Sequence, residues 1–129
     1  MTRMRRPFVL LLAGLAASAA AAPAGQRNVR EVPAPFRGGW DENPANCAGP
    51  EPRFSITATS VWNFEARYRV RRVRLLGPTR IEVVTRHDDQ AGGPAGDEVT
   101  FAFTLVDGGR AIQGDGANFR RCDRPVNRE

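Results

Sequence analysis

The 129-residue chain contains no lysine, so its 19 cationic side chains are all arginine. A guanidinium does not deprotonate at accessible pH, so the high isoelectric point partly reflects that uniform choice and does not by itself mark a nucleic-acid binder. Histidine occurs once, at His87, and no serine or cysteine nucleophile sits in a recognisable motif. Cysteine occurs twice, at Cys47 and Cys122, a separation of 75 positions, whereas a reactive or metal-binding pair favours close spacing or a nearby base. Long apolar runs are also missing. Residues 8–16 are uncharged, but the stretch is too short and too alanine-rich for a bilayer span of about 20 apolar residues, and no later segment comes close. No internal repeat is present, and no stretch of useful length has helical periodicity.

What the chain does have begins at its N-terminus. Residues 1–7 carry Arg3, Arg5 and Arg6 without an acid; an apolar stretch follows, and then small residues up to Ala24. This order of regions is that of a secretory signal peptide, with cleavage expected near Ala22 or Ala24. Residues 1–24 are therefore expected to be removed and the mature protein to be periplasmic or secreted. No cysteine follows the apolar stretch, so a lipid anchor has no attachment point. Arg5-Arg6 followed by Phe8 and Val9 also resembles a twin-arginine signal, although Met4 stands where that pattern prefers a small polar residue, so either export route fits. With the three arginines of the signal removed, 16 basic and 14 acidic residues leave a net charge of +2. In an oxidising compartment Cys47 and Cys122 are expected to join. Closing that loop contributes about 4 kcal/mol on the chain-entropy model, comparable to the net stability of a small domain.

Residues 25–38 are polar and broken by Pro33 and Pro35, which reads as an extended tail or linker. Residues 39–124 are expected to form the domain and residues 125–129 a short C-terminal tail. Trp40 is the first large anchor, and the proline-rich stretch around Cys47 reads as a loop. Beyond Pro52 apolar side chains recur at every second position, the pattern of a half-buried strand. Phe54 and Ile56 begin it; Trp62, Phe64, Ala66, Tyr68 and Val70 continue on one side, with Arg67 and Arg69 on the other. Adjacent Arg71 and Arg72 then break the alternation, and Val73 and Leu75 take over the inward positions. Residues 60–76 are thus either one strand with a bulge near Arg71 or two strands divided by a turn near residues 65–67. Gly77-Pro78 marks a turn, Ile81, Val83 and Thr85 alternate, and residues 88–97 form a glycine-rich polar loop. The clearest strand has Val99, Phe101, Phe103 and Leu105 on one face; Asp107-Gly108-Gly109 reads as a hairpin turn, and short strands around Ile112 and Phe119 complete the pattern. The expected fold is all-β: a small antiparallel meander of about six or seven strands curled into a barrel or sandwich. Its expected core includes Trp40, Trp62 and Phe64.

Three constellations could carry chemistry. His87 beside Asp88 and Asp89 could act as a general base held by a carboxylate. Asp88, Asp89, Asp97 and Glu98 could offer oxygen ligands to calcium, but Ala91 to Gly96 interrupt the regular acidic spacing such loops need. Most concrete is an arginine stripe: Arg67, Arg69 and Arg71 project from one strand face, and a bulge adds Arg72 and Arg74. Such a stripe is either a solvated outer face, paired in part with Glu65 and Glu82, or a site for a polyanion.

At Gly39-Trp40, Cys47, Phe54-x-Ile56, the Val99-to-Leu105 strand with Asp107-Gly108, and Arg121-Cys122, the chain resembles a group of small uncharacterised exported proteins of Gram-negative bacteria. They share a Gly-Trp or Gly-x-Trp opening, one early cysteine and a closing Arg-Cys. This resemblance implies the β-rich fold and the disulfide, and no activity. In pairing a signal peptide with an early tryptophan and one disulfide, the chain is also similar to periplasmic β-barrel inhibitors of proteases and lysozyme. The Ser-Gly-x-x-Tyr loop of the lysozyme inhibitors is absent, while residues 25–36 are extended as a protease-blocking segment would be. The function expected from all this is an exported, non-enzymatic binding module, monomeric and without cofactor or metal, whose partner is a periplasmic protein or an anionic envelope polymer. A lipocalin-like carrier of small ligands and a hydrolase using His87 are the alternatives.

Overall fold

The computed structural model describes residues 26–48, 52–64, 66–88 and 96–123. The expected signal peptide, the C-terminal tail and most of the 88–97 loop lie outside the described residues.

Among the described residues nine strands form: β1 (Arg27–Val29), β2 (Gly38–Asp41), β3 (Phe54–Ile56), β4 (Ser60–Asn63), β5 (Ala66–Leu75), β6 (Arg80–His87), β7 (Glu98–Val106), β8 (Ala111–Gly114) and β9 (Ala117–Arg121). Single 3-10 turns occupy Ala34–Phe36, Pro44–Ala48 and Asp107–Gly109, and no α-helix occurs among the described residues. From β2 onward each strand pairs antiparallel with the next, and β9 returns to pair with β2, closing an up-and-down barrel. β1 stands outside this ring. It pairs with Val73 to Leu75 of β5, beyond the part of that strand which β4 covers. The expected meander and barrel are therefore present, with two strands more than the upper count: β1, which is mostly exposed, and β2, which is buried on both faces, so that neither shows alternation of apolar and polar residues.

The long run from Ser60 to Leu75 is both divided and bulged. Asn63 pairs with Ala66, so two intervening residues turn β4 into β5, and the β5–β6 register slips between Val70 and Arg72, leaving Arg71 as the extra residue. A two-residue turn shifts the inward phase by one position. Val61 rather than Trp62 therefore pairs with Tyr68 on the inner face, while Trp62 pairs with Arg67 on the outer wall. This corrects the expectation that Trp62 and Phe64 are core: Trp62 is only partly buried, and Phe64, at the turn with φ of 54°, is 51% exposed. No glycine marks that turn, so the parity change has no signal in the residues.

Inside, Trp40, Phe54, Ile56, Val61, Val73, Ile81, Val83, Phe103, Ile112 and Phe119 fill the barrel. Phe54 meets Phe101, Phe103 and Phe119 edge-on with centroids 5.0–6.2 Å apart, an arrangement that suits the ring quadrupoles. A ring of eight strands is just wide enough for side chains to fill. The segment expected as a tail is built into the domain. Val32 and Phe36 are buried in the core, the Val32 N–H donates to the Ala58 carbonyl, and Trp40 Nε1 donates to the Phe36 carbonyl.

The β2–β9 seam closes the ring. Trp40 and Arg121 are register partners, and the Arg121 guanidinium lies 4.2 Å from the Trp40 ring centroid. Its nitrogens donate to three carbonyls, those of Gly109, Arg37 and Pro35, tying the last strand to the β7–β8 turn and to the N-terminal segment. Desolvation holds the Arg121 pKa below its ordinary value, yet a guanidinium remains a cation at neutral pH. Gly38 is required beside it: its φ is 137°, and a Cβ there would stand 3.1 Å from Arg121 Nη1. On the outer side of the seam Cys122 is bonded to Cys47, and the Cys122 N–H donates to the Gly39 carbonyl. The loop carrying Cys47 is organised by the buried Asp41 carboxylate, which accepts from the N–H groups of Asn43 and Arg53 and from Asn46 Nδ2.

Lysine at position 121 keeps the charge but loses the planar fork. Arg121→Lys is expected to cost about 2–4 kcal/mol, seen in calorimetry as a fall in Tm of about 10–20 °C. A fall within about 2 °C would show that the fork does not hold the seam.

Candidate anion-binding face

β5 positions the arginine stripe because its pleat sends Tyr68, Val70, Val73 and Leu75 inward or into partial burial and the intervening arginines outward. Arg67, Arg69, Arg72 and Arg74 stand on the outer wall, and the bulge leaves Arg71 exposed as well. The structure thus brings all five predicted residues to one face. It adds a sixth, Arg86 of β6, the direct cross-strand partner of Arg69. Arg86 follows the outward phase of its own strand, but its position opposite Arg69 depends on the β5–β6 register, which the bulge shifts.

Carboxylates mark both ends of this row. Asp88 lies 3.1 Å from Arg69 and 3.7 Å from Arg67, and Glu82 lies 3.0 Å from its register partner Arg74. These pairs are partly exposed, where an ion pair contributes at most about 1 kcal/mol. Between them Arg71, Arg72 and Arg86 are exposed and form no ion pair with a described residue. Val84, the register partner of Arg72, is 3% exposed although it faces outward. Long arginine stems can cover such an apolar residue while the charged heads stay in water.

No family model, curated protein or solved structure matches this chain.

The other predicted groups are arranged differently. His87 and Asp88 are neighbours in sequence but face opposite ways. The His87 ring is half-buried on the inner face, edge-on to Tyr68 at 5.1 Å, whereas the Asp88 carboxylate meets Arg67 and Arg69 outside. The adjacent pair therefore does not form a carboxylate-held base. Asp97 and Glu98 begin the return into β7, with the Asp97 carbonyl accepting from the His87 N–H, and Asp89 lies outside the described residues. No group of three potential ligands gathers among the described residues. A pocket of about 210 Å³ is lined by Asp41, Glu42, Asn43, Asn46, Arg53 and Phe64; the Asp41 carboxylate is engaged by three protein donors, and Glu42 is exposed at its rim.

Asp88→Asn removes the counter-charge shared by Arg67 and Arg69. Urea unfolding is expected to show a loss below about 1 kcal/mol. Elution from a cation-exchange column should move to higher salt than for Asp107→Asn, which makes the same charge change at the β7–β8 turn, because the freed cations join an existing patch. Equal elution of the two variants would mean that the wall does not act as one patch.

Proposed function

We propose that the protein is an exported, non-enzymatic binding module that engages an anionic component of the cell envelope through its outer wall. The observation that carries this reading is the division of side chains across the barrel: aromatic and aliphatic groups occupy the inside, and a row of arginines stands outside. The filled interior supports an exterior site over the lipocalin-like alternative, since a carrier needs a chamber of several hundred cubic ångströms. The opposed directions of His87 and Asp88 likewise favour binding over hydrolysis. Export rests on the signal-like N-terminus, and the Cys47–Cys122 bond is compatible with an oxidising compartment.

Affinity capture from envelope extract tests the reading. The oxidised protein and its His87→Ala variant are expected to retain the same partner, and Arg69→Gln/Arg71→Gln to lose it. Capture that survives neutralising the arginines but fails without His87 would overturn the proposal. One-to-one, saturable quenching of tryptophan fluorescence by a lipophilic probe would replace it with the carrier.

A further inference from the structure

We propose that the outer wall of β5 and β6 binds a linear acidic polysaccharide, with Arg71, Arg72 and Arg86 as its principal contacts. This deepens the reading of the domain as an exterior-binding module and rests on it.

Arg69 and Arg86 stand directly opposite one another across two paired strands. Like charges in that position are destabilising, so the sheet carries a cost that a bound anion would remove. Asp88 offsets only one side of the pair, reaching Arg69 at 3.1 Å. Arg72 lies further along the same wall, and the bulge adds Arg71 where a regular strand would place a single outward side chain. Outward positions repeat at about 6.6 Å along a strand, and neighbouring strands lie about 4.8 Å apart. Neighbouring cations are thus close enough to share one small anion, but the row from Arg67 to Arg74 is longer than one such group, so a chain of anions can meet its members in succession. Glu82 and Asp88 bound the patch at its two ends and set its length.

What surrounds the cations selects among polymers. Asn28 of β1 is the register partner of Arg74, and Thr100 of β7 is that of Val84; both are exposed on the same wall. Amide and hydroxyl side chains beside guanidinium groups suit a polymer that carries hydroxyls between its anions. Single-stranded nucleic acid is bound on open aromatic faces. The aromatic ring of this wall, Trp62, already has the Arg67 guanidinium over it at 5.6 Å. A lipid surface takes an apolar wedge. The exposed large apolar residue among those described is Phe64, whose ring is stacked under Arg53 at 4.5 Å on the β3 side of the hairpin.

The test compares heparin and polygalacturonate with a thymidylate oligonucleotide and with phosphatidylglycerol vesicles, using the oxidised protein. Both glycans are expected to bind more tightly than the other two. With about three contacts, counterion release predicts a 20- to 40-fold loss of affinity from about 50 to about 200 mM salt. Arg71→Gln/Arg72→Gln/Arg86→Gln should weaken glycan binding at least about tenfold and flatten the salt dependence, with circular dichroism unchanged. Arg110→Gln, at a different turn, should change neither. Tighter binding of the oligonucleotide or the vesicles overturns the glycan assignment while the exterior-binding reading stands. An unaltered affinity in the triple variant overturns the site. If none of the four probes binds at low salt, the polysaccharide proposal fails, and the capture experiment separately decides whether an acidic protein takes its place.

Discussion

The structure depends on closing the seam between β2 and β9, the strands furthest apart in sequence among those of the ring. Every other pairing in the barrel joins neighbours along the chain and forms cheaply, but this one requires the whole domain to curl round. Three interactions converge there. Arg121 stacks on Trp40 and reaches carbonyls of two separate segments, the Cys122 N–H meets the Gly39 carbonyl, and the disulfide fastens the same residue to the β2–β3 loop. The disulfide raises the free energy of the unfolded chain, whereas the guanidinium fork acts only in the folded one. Together they let strands of four and five residues hold a joint that would otherwise be an open edge.

With the ring closed, inside and outside have different tasks. The interior is largely apolar and rich in aromatic rings and supplies the burial that a chain of this size needs. The N-terminal segment completes it, since Val32 and Phe36 are buried in the same core and Arg121 donates to the carbonyls of Pro35 and Arg37 between and beside them. Functional groups are thereby displaced to the wall. There β5, at ten residues the longest strand, carries the arginines in a row whose spacing the sheet sets. The row is stiff because β6 flanks β5 along most of its length, while β4 and β1 share its other side. Loop residues could not hold cations at fixed intervals in this way.

Much of this was legible in the residues, and the exceptions have physical causes. Alternation after Pro52 located β3 and the strands from β5 to β9, because a half-buried sheet imposes a period of two on side-chain polarity. Adjacent Arg71 and Arg72 announced the bulge for the same reason. The two cysteines announced their own pairing. Trp62 and Phe64 were misplaced because the β4–β5 turn lacks glycine, and a two-residue turn reverses which phase points inward. The tail escaped notice because Val32 and Phe36 are isolated apolar residues among prolines and charges, and a segment anchored by two buried side chains needs no periodicity. Arg86 could be assigned to an outer face, but its place beside Arg69 is a property of strand register. Of the candidate face, then, the row along β5 could be read in advance and its second strand could not.

Native-state hydrogen exchange of the seam tests this account most directly. The Cys122 amide, which donates across the seam to the Gly39 carbonyl, and the Arg121 amide, which donates to the Arg110 carbonyl on the β8 side of the same strand, should exchange only through global unfolding in the oxidised protein. On reduction their protection and that of the β5–β6 amides should fall together, because opening the seam opens the ring. Rapid exchange at Cys122 in the oxidised protein, with β5 and β6 still fully protected, would contradict the claim that the seam holds the barrel.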